Sequence, residues 1–227
     1  MKSTILITGA NRGIGRQIAL EMLERGWHVI ATARDLHKLE IAFAMSNENL
    51  TLMSLDVTNS SSINSVYQQL SDKNVSIDVL VNNAGIGIGN AGAIDGAIDE
   101  AKSIFEVNFF GAWQTTSLLL PLIKKNARSS IINISSGMGA LADLTGGYAG
   151  YRLSKTALNA LSILLSNELK KDKILVHSVC PGWCKTDMGG ESAPRTAERG
   201  AETIVYLATQ EALPTGRFWR DKKPISW

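Results

Sequence analysis

Short β-branched runs alternate with amphipathic stretches along the chain, and this alternation narrows the possible folds to very few. The runs occupy residues 5–8, 29–32, 50–55, 79–81, 131–134 and 174–179. They are apolar almost throughout rather than at every second position. Such segments predict strands buried on both faces, the signature of a parallel sheet. Between them, residues 15–25 place Ile18, Ala19, Met22 and Leu23 on one helical face, and residues 60–70 do the same with Ile63, Val66, Tyr67 and Leu70. Helical patterns also run through 101–124, 151–169 and 197–208. Strand and helix in strict alternation predict an α/β fold, a doubly wound parallel sheet with helices on both faces and right-handed crossovers. Ligands then bind beyond the carboxyl ends of the strands. Residues 85–96, rich in Gly and Ala, and residues 189–199, polar with Gly and Pro, read as loops. With no repeat, low-complexity tract or linker, residues 1–227 are expected to form a single Rossmann-fold domain.

Composition excludes several classes of partner. Net charge is +2 and Lys and Arg form no long runs, so neither nucleic acid nor an acidic membrane surface is indicated. No apolar run is long enough to cross a bilayer. Residues 1–8 resemble the start of an export signal but meet Gly9 after only a few apolar residues and read as a strand, which makes the cytoplasm the expected compartment. Cys180 and Cys184 flank a Pro-Gly pair and are read as reduced. His28, His37 and His177 are scattered and read as structural, so no metal site is expected.

The first strand runs straight into Thr8-Gly9-Ala10-Asn11-Arg12-Gly13-Ile14-Gly15, which opens a helix. Glycines allow a tight turn and close approach of backbone to a pyrophosphate. The helix N-terminus adds N–H groups and the positive end of its dipole. The spacing, Gly-x-x-x-Gly-x-Gly, differs from the commoner Gly-x-Gly-x-x-Gly. Its setting between strand and helix predicts a dinucleotide site formed by Gly9, Asn11, Arg12, Gly13, Ile14 and Gly15. The second strand closes Ala31-Thr32-Ala33-Arg34 and has no acid at its tip; Asp35 follows the arginine. An acid there would bind the ribose hydroxyls and repel a 2′-phosphate. Arg34 and Arg12 could instead clamp that phosphate, so NADP is favoured over NAD.

Tyr151 and Lys155 are four residues apart in a helical stretch, which stacks them one turn apart on one face. A free phenol has a pKa of about 10, and a neighbouring cation lowers it. The pair could therefore exchange a proton near neutral pH. Tyr148 competes, but its partner four residues on is Arg152.

The ordered set Thr8…Gly15, Asp56-Val57, Asn82-Asn83-Ala84-Gly85, Asn108, Ile134-Ser135-Ser136, Tyr151…Lys155 and Pro181-Gly182 with Thr186 resembles the short-chain dehydrogenase/reductase family across nearly the whole chain. The resemblance implies one seven-stranded parallel sheet, with the last strand near 216–218. It implies hydride transfer between a nicotinamide and a carbonyl carbon. Tyr151 would be the acid in reduction and the base in oxidation. Lys155 would lower its pKa and hold the nicotinamide ribose, and Ser136, preferred over Ser135, would bind the carbonyl oxygen. Asn108 would hold a water joining Lys155 to solvent. Asp56 would cap the adenine amino group with Val57 beside the ring, and Asn83, Ala84 and Gly85 would line the cofactor. Thr186 would bind the carboxamide, after the turn at Pro181 and Gly182.

Residues 180–188 and 32–35 look most like the NADPH-dependent carbonyl reductases. Ser136 and Tyr151 are separated by only 14 residues, so the long insertion of the mammalian cytosolic enzymes is missing. That makes a homodimer or homotetramer the expectation, joined through the helices at 101–124 and 151–169. Met138, Leu141, Trp183 and Met188 are the candidate substrate residues. The short stretch between Thr186 and the helix from 197 implies an open pocket accepting apolar ketones and aldehydes. Other readings are a 3-oxoacyl-type reductase, an alcohol dehydrogenase of another substrate, and a non-catalytic dinucleotide sensor or cell-contact signal protein.

Overall fold

The computed structural model describes residues 2–44, 47–87, 89–123, 129–210 and 213–227. The chain runs β1 (Thr4–Ile7), α1 (Gly13–Glu24), β2 (His28–Ala33), α2 (Leu36–Ala42), β3 (Leu50–Ser54), α3 (Ser60–Asp72) and β4 (Val79–Asn82). After a long loop come α4 (Ile98–Phe105), a π-helical turn (Glu106–Gly111), α5 (Ala112–Ile123), β5 (Ser130–Ile134), α6 (Ala149–Glu168) and β6 (Leu175–Val179). It closes with α7 (Ala197–Thr209), β7 (Arg217–Arg220) and β8 (Lys223–Ile225).

All described strands join one sheet in the order β3-β2-β1-β4-β5-β6-β7-β8. Neighbours through β7 are parallel, and β7–β8 is antiparallel. The order reverses between β1 and β4, and there the crevice for a ligand opens. The period of two decides the packing. Ile5 and Ile7 face α1 and α7 in one layer, with Ile18, Met22 and Ile204. Leu6 between them faces the other layer, with Ile63, Leu119 and Leu158 from α3, α5 and α6. Each such side chain taken fully out of water contributes about 1.5–3 kcal/mol, so both faces of the sheet hold the helices on.

Among the described residues the sheet has eight strands, one more than expected. β8 is three residues long, two of them exposed, with a proline on the outer edge where no donor is needed. The turn into it uses Asp221 and Lys222, both at positive φ (50° and 62°). That geometry fits a tight hairpin, but neither residue is the Gly or Asn that signals one in a sequence. The helix α2 was also not expected; Asp35 caps it by accepting a bond from the Lys38 N–H at 3.1 Å. The single helix expected over 101–124 is instead α4, the π turn and α5, and its expected end at Lys124 lies outside the described residues, as does Ile88 in the 85–96 loop. Among the described residues, no helix is long and apolar enough to cross a membrane.

Candidate active site

The two sides of the switch point are tied together by Thr8 and Asn83. The Thr8 hydroxyl accepts from the backbone N–H of Asn83 and of Ala84, both at 3.0 Å. The Asn83 amide donates to the carbonyls of Thr8 (2.8 Å) and Gly9 (3.0 Å). Gly9 sits at φ +65°, so the chain can turn sharply out of β1. A Cβ on Gly15 would run into the Asn83 amide and come within 2.6 Å of the Gly9 carbonyl. The loop therefore lies flat against β4. No side chain caps α1 at Arg12, which leaves its first N–H groups open to an anion. These features fit a pyrophosphate.

The residues expected around the adenosine end are spread more widely. Arg34 is exposed, and among the described residues its guanidinium makes no hydrogen bond. Asp35, as the α2 cap, is turned to its own helix. Arg12 pairs with Asp187, which bridges the glycine loop to the segment after β6. Asp56 spends one oxygen on Thr58, at 2.9 Å to its N–H and 2.7 Å to its hydroxyl. Val57 is buried against Gly111, and its carbonyl accepts from Gln114.

At the end of β5 the two serines point in opposite senses. Ser135 is buried, and its hydroxyl donates to the Lys155 carbonyl at 3.3 Å. Ser136 caps a 3-10 turn, Gly137–Gly139, accepting from the Met138 N–H at 3.2 Å, and its hydroxyl is close enough to the Tyr151 phenol to lower its pKa. That turn is clamped to α6 because the Gly139 carbonyl accepts from Thr156 (3.0 Å) and Asn159 (3.1 Å). Tyr148 is the residue before α6. It lies at φ +52° with its side chain half out in solvent. Arg152 is turned to Gly147, Met138 and Thr145. The competing Tyr148–Arg152 pair thus does not form.

Lys155 is 5% exposed and donates to the Ile134 carbonyl at 2.8 Å. Its ammonium lies 5.8 Å from the centre of the Tyr151 ring. Burial lowers the Lys155 pKa to about 8. Burial also raises the Tyr151 pKa; the neighbouring Ser136 hydroxyl opposes that and the nearby Cys180 adds to it. The lowering expected from Lys155 is therefore outweighed here, because desolvation acts on the phenol directly while the ammonium is bonded elsewhere.

Asn108 lies in the π turn and is 1% exposed. Its amide donates to the Ile86 carbonyl (2.9 Å) and Ser154 hydroxyl (3.1 Å), and its oxygen accepts from the Ile86 N–H (2.8 Å). It thus pins the loop after β4 to α6. Gly85 lies between this amide and the Lys155 ammonium. Neighbouring Asn82 is turned into the core, where it donates to Thr116 (2.9 Å) and Asn133 (2.8 Å).

The segment after β6 folds back over the glycine loop. At Pro181 and Gly182 the chain bends, with Gly182 at φ +83° beneath the Arg195 side chain. Thr186 follows, its methyl facing Gly13 and its hydroxyl accepting from the Gly189 N–H at 3.1 Å. The Met188 sulfur lies over Gly87, beside the Tyr151 ring. Trp183 donates from Nε1 to the Gly189 carbonyl at 2.8 Å. Met188, Trp183 and Leu141 are 52%, 57% and 66% exposed, so this side is open; Met138 is half-buried. Two neighbours were not singled out as site residues: Cys180, whose sulfur accepts from the Gly137 N–H at 3.1 Å, and Arg220, whose guanidinium lies against Gly137. Nothing in the local sequence at 216–223 marks Arg220 as part of the site.

A doubly wound sheet with a glycine-rich turn at its switch point defines a dinucleotide-binding class of α/β proteins. The model of one family, short chain dehydrogenase, matches residues 3–212, and the chain belongs to that family. It is 32% identical to carbonyl reductase (NADPH) 1 of Sus scrofa, over 98% of this chain and 93% of that protein. It is 33% identical to the short-chain dehydrogenase anuI of Penicillium roqueforti, over 92% of this chain and 89% of that one. Among solved structures, the carbonyl reductase Sniffer of D. melanogaster superposes with a TM-score of 0.93 at 30% identity, each chain covered in full. The NADPH-bound carbonyl reductase from chicken fatty liver does so with a TM-score of 0.88 at 29% identity, again over both whole chains.

Proposed function

We propose that this chain, as a single dinucleotide-binding domain, reduces ketones and aldehydes to alcohols with NADPH. The observation that carries the reading is the convergence of Ser136 on Tyr151, close enough to lower the phenol's pKa, with Lys155 buried one helical turn away and its ammonium beside Gly85 at the end of β4. When bound, NADPH supplies the hydride for the carbonyl carbon. Gly9, Asn11, Gly13, Ile14 and Gly15 hold its pyrophosphate, and Asp56, Val57, Asn83, Ala84 and Gly85 line the adenosine side. Arg34, unpaired, and Arg12, once freed from Asp187, face the 2′-phosphate; Asp35 does not oppose it, because that carboxylate caps α2.

Tyr151 donates the proton to the developing alkoxide, and Ser136 donates a hydrogen bond to the same oxygen. Lys155 moves its donors from Ile134 to the nicotinamide ribose. Thr186 receives the carboxamide after Pro181 and Gly182. Asn108 holds the loop and the relay water in place. The side-chain amide holds the loop, and because its donors are taken by Ile86 and Ser154 the water falls to the main chain. Met138, Leu141, Trp183 and Met188 form an open apolar wall.

The protein works as a homodimer or homotetramer, in keeping with exposed Phe110 and Trp113 on the π turn and α5, and Leu153 and Leu164 on α6. The test is loss of NADPH absorbance across a panel of ketones and aldehydes, comparing the wild type with Tyr151→Phe. Equal rates in the two proteins, or no turnover of any compound, would defeat the reading.

A further inference from the structure

Arg220 ends β7 on the ligand side of the sheet, and its guanidinium packs into the space left by the missing side chain of Gly137, one residue after Ser136. The same spot borders the Cys180 sulfur, and Cys180 is close enough to Tyr151 to act on its titration. Ser136, Tyr151, Cys180 and Arg220 therefore share one neighbourhood.

The guanidinium there lacks an acceptor. Its Nε is buried with no hydrogen-bond partner, and among the described residues it forms no ion pair. The adjacent carboxylate of Asp221 is taken in a fork by Arg195, at 2.7 and 2.9 Å. The other arginines with no acceptor among the described residues, Arg34 and Arg217, are exposed and have water. Nε is one of five donors in the guanidinium's rigid fork, and leaving it buried and unmet is costly. A carboxylate matches that fork better than any neutral group.

We infer that Arg220 is a specificity-determining residue that selects carbonyl substrates bearing a carboxylate, such as oxo acids or carboxyl-substituted aldehydes. The inference rests on the reading of Ser136 and Tyr151 as the carbonyl-oxygen site. With the carbonyl oxygen there, an anionic group on the side towards Gly137 meets the guanidinium. A methyl ester or amide offers no charge to that fork.

The test compares kcat/KM for 2-, 3- and 4-oxo acids with their methyl esters, in the wild type and in Arg220→Met. At least one acid should be preferred over its ester by about tenfold or more in the wild type, and the preference should vanish in the variant. Equal acid-to-ester ratios in both proteins would overturn the inference. If neither acids nor esters are turned over, the reductase reading fails and calorimetry decides the arginine's role separately. Benzoate binding the NADP-loaded wild type about tenfold more tightly than benzamide, with the difference lost in Arg220→Met, supports it. Equal affinities overturn it.

Discussion

Lys155 stands 5.8 Å from the centre of the Tyr151 ring and gives its hydrogen bond to the Ile134 carbonyl, not to the phenol. The two residues share a helical face yet act on different partners. Their substitutions should therefore separate. Tyr151→Phe should lower kcat by about 10²–10⁴-fold and leave NADPH affinity unchanged. Lys155→Met should lower kcat and also weaken NADPH binding, read by fluorescence titration. Unchanged affinity in both variants would refute the ribose role of Lys155.

The pH dependence of cofactor binding follows from the buried amine. Its pKa is depressed from 10.5 to about 8, so the ammonium is present below about 8 and lost above it. If only the ammonium binds the ribose, the Kd for NADPH should be flat below pH 8 and then rise by up to about tenfold per pH unit. Tyr151, pushed upward, adds no break in that range. Lys155→Arg should remove the break; a break that persists there would assign it to another group.

Arg12 and Asp187 form an exposed ion pair across the mouth of the cleft, about two-thirds exposed on each side. Pairs of this kind are worth roughly 0–1 kcal/mol. Asp187→Asn should free Arg12 and tighten NADPH by up to about fivefold, with NADH unaffected. An equal change for both nucleotides would separate Arg12 from the 2′-phosphate.

His177 lies fully buried in β6, accepting from Trp219 Nε1 at 3.2 Å, with its other nitrogen unpartnered. Burial lowers its pKa from 6.5 to about 4. The unfolded chain takes up the proton below 6.5 and the folded one only near 4, so stability is present above 6.5 and falls as pH drops towards 4. The loss is at most about 3 kcal/mol. Urea unfolding at a series of pH values should show the wild type losing more over that window than His177→Gln. Parallel curves would remove His177 from the acid sensitivity.

Much of this architecture is readable from the chain. The apolar runs around Ile5–Ile7 and Val79–Val81 are buried on both faces and could hardly be anything but central strands, and the glycine loop sits where a strand gives way to a helix. Ser136 and Tyr151 meet because Gly139 is clamped to α6, a contact the sequence does not display. β8 is not legible in the sequence because its turn places Asp221 and Lys222 at positive φ with neither Gly nor Asn to signal it. α2 is short, and its one sequence signal is Asp35, a capping residue whose charge also bears on cofactor choice. Arg220 is not legible as a site residue because its nearness to Gly137 depends on the sheet order, which sets β7 one strand beyond β5 with β6 between them.

The π turn at Glu106–Gly111 carries one residue more than an α-helix would need over the same rise. Deleting any residue between Val107 and Phe110 would restore regular pitch and swing the flanking helix by about 100°. Asn108 would leave Ile86, and the apolar residues Phe110 and Trp113 would turn to a different side. Chain length in this one turn is therefore under a constraint that side-chain identity alone does not express. An indel here should be far more damaging than one in the solvent-facing loop at Gly146.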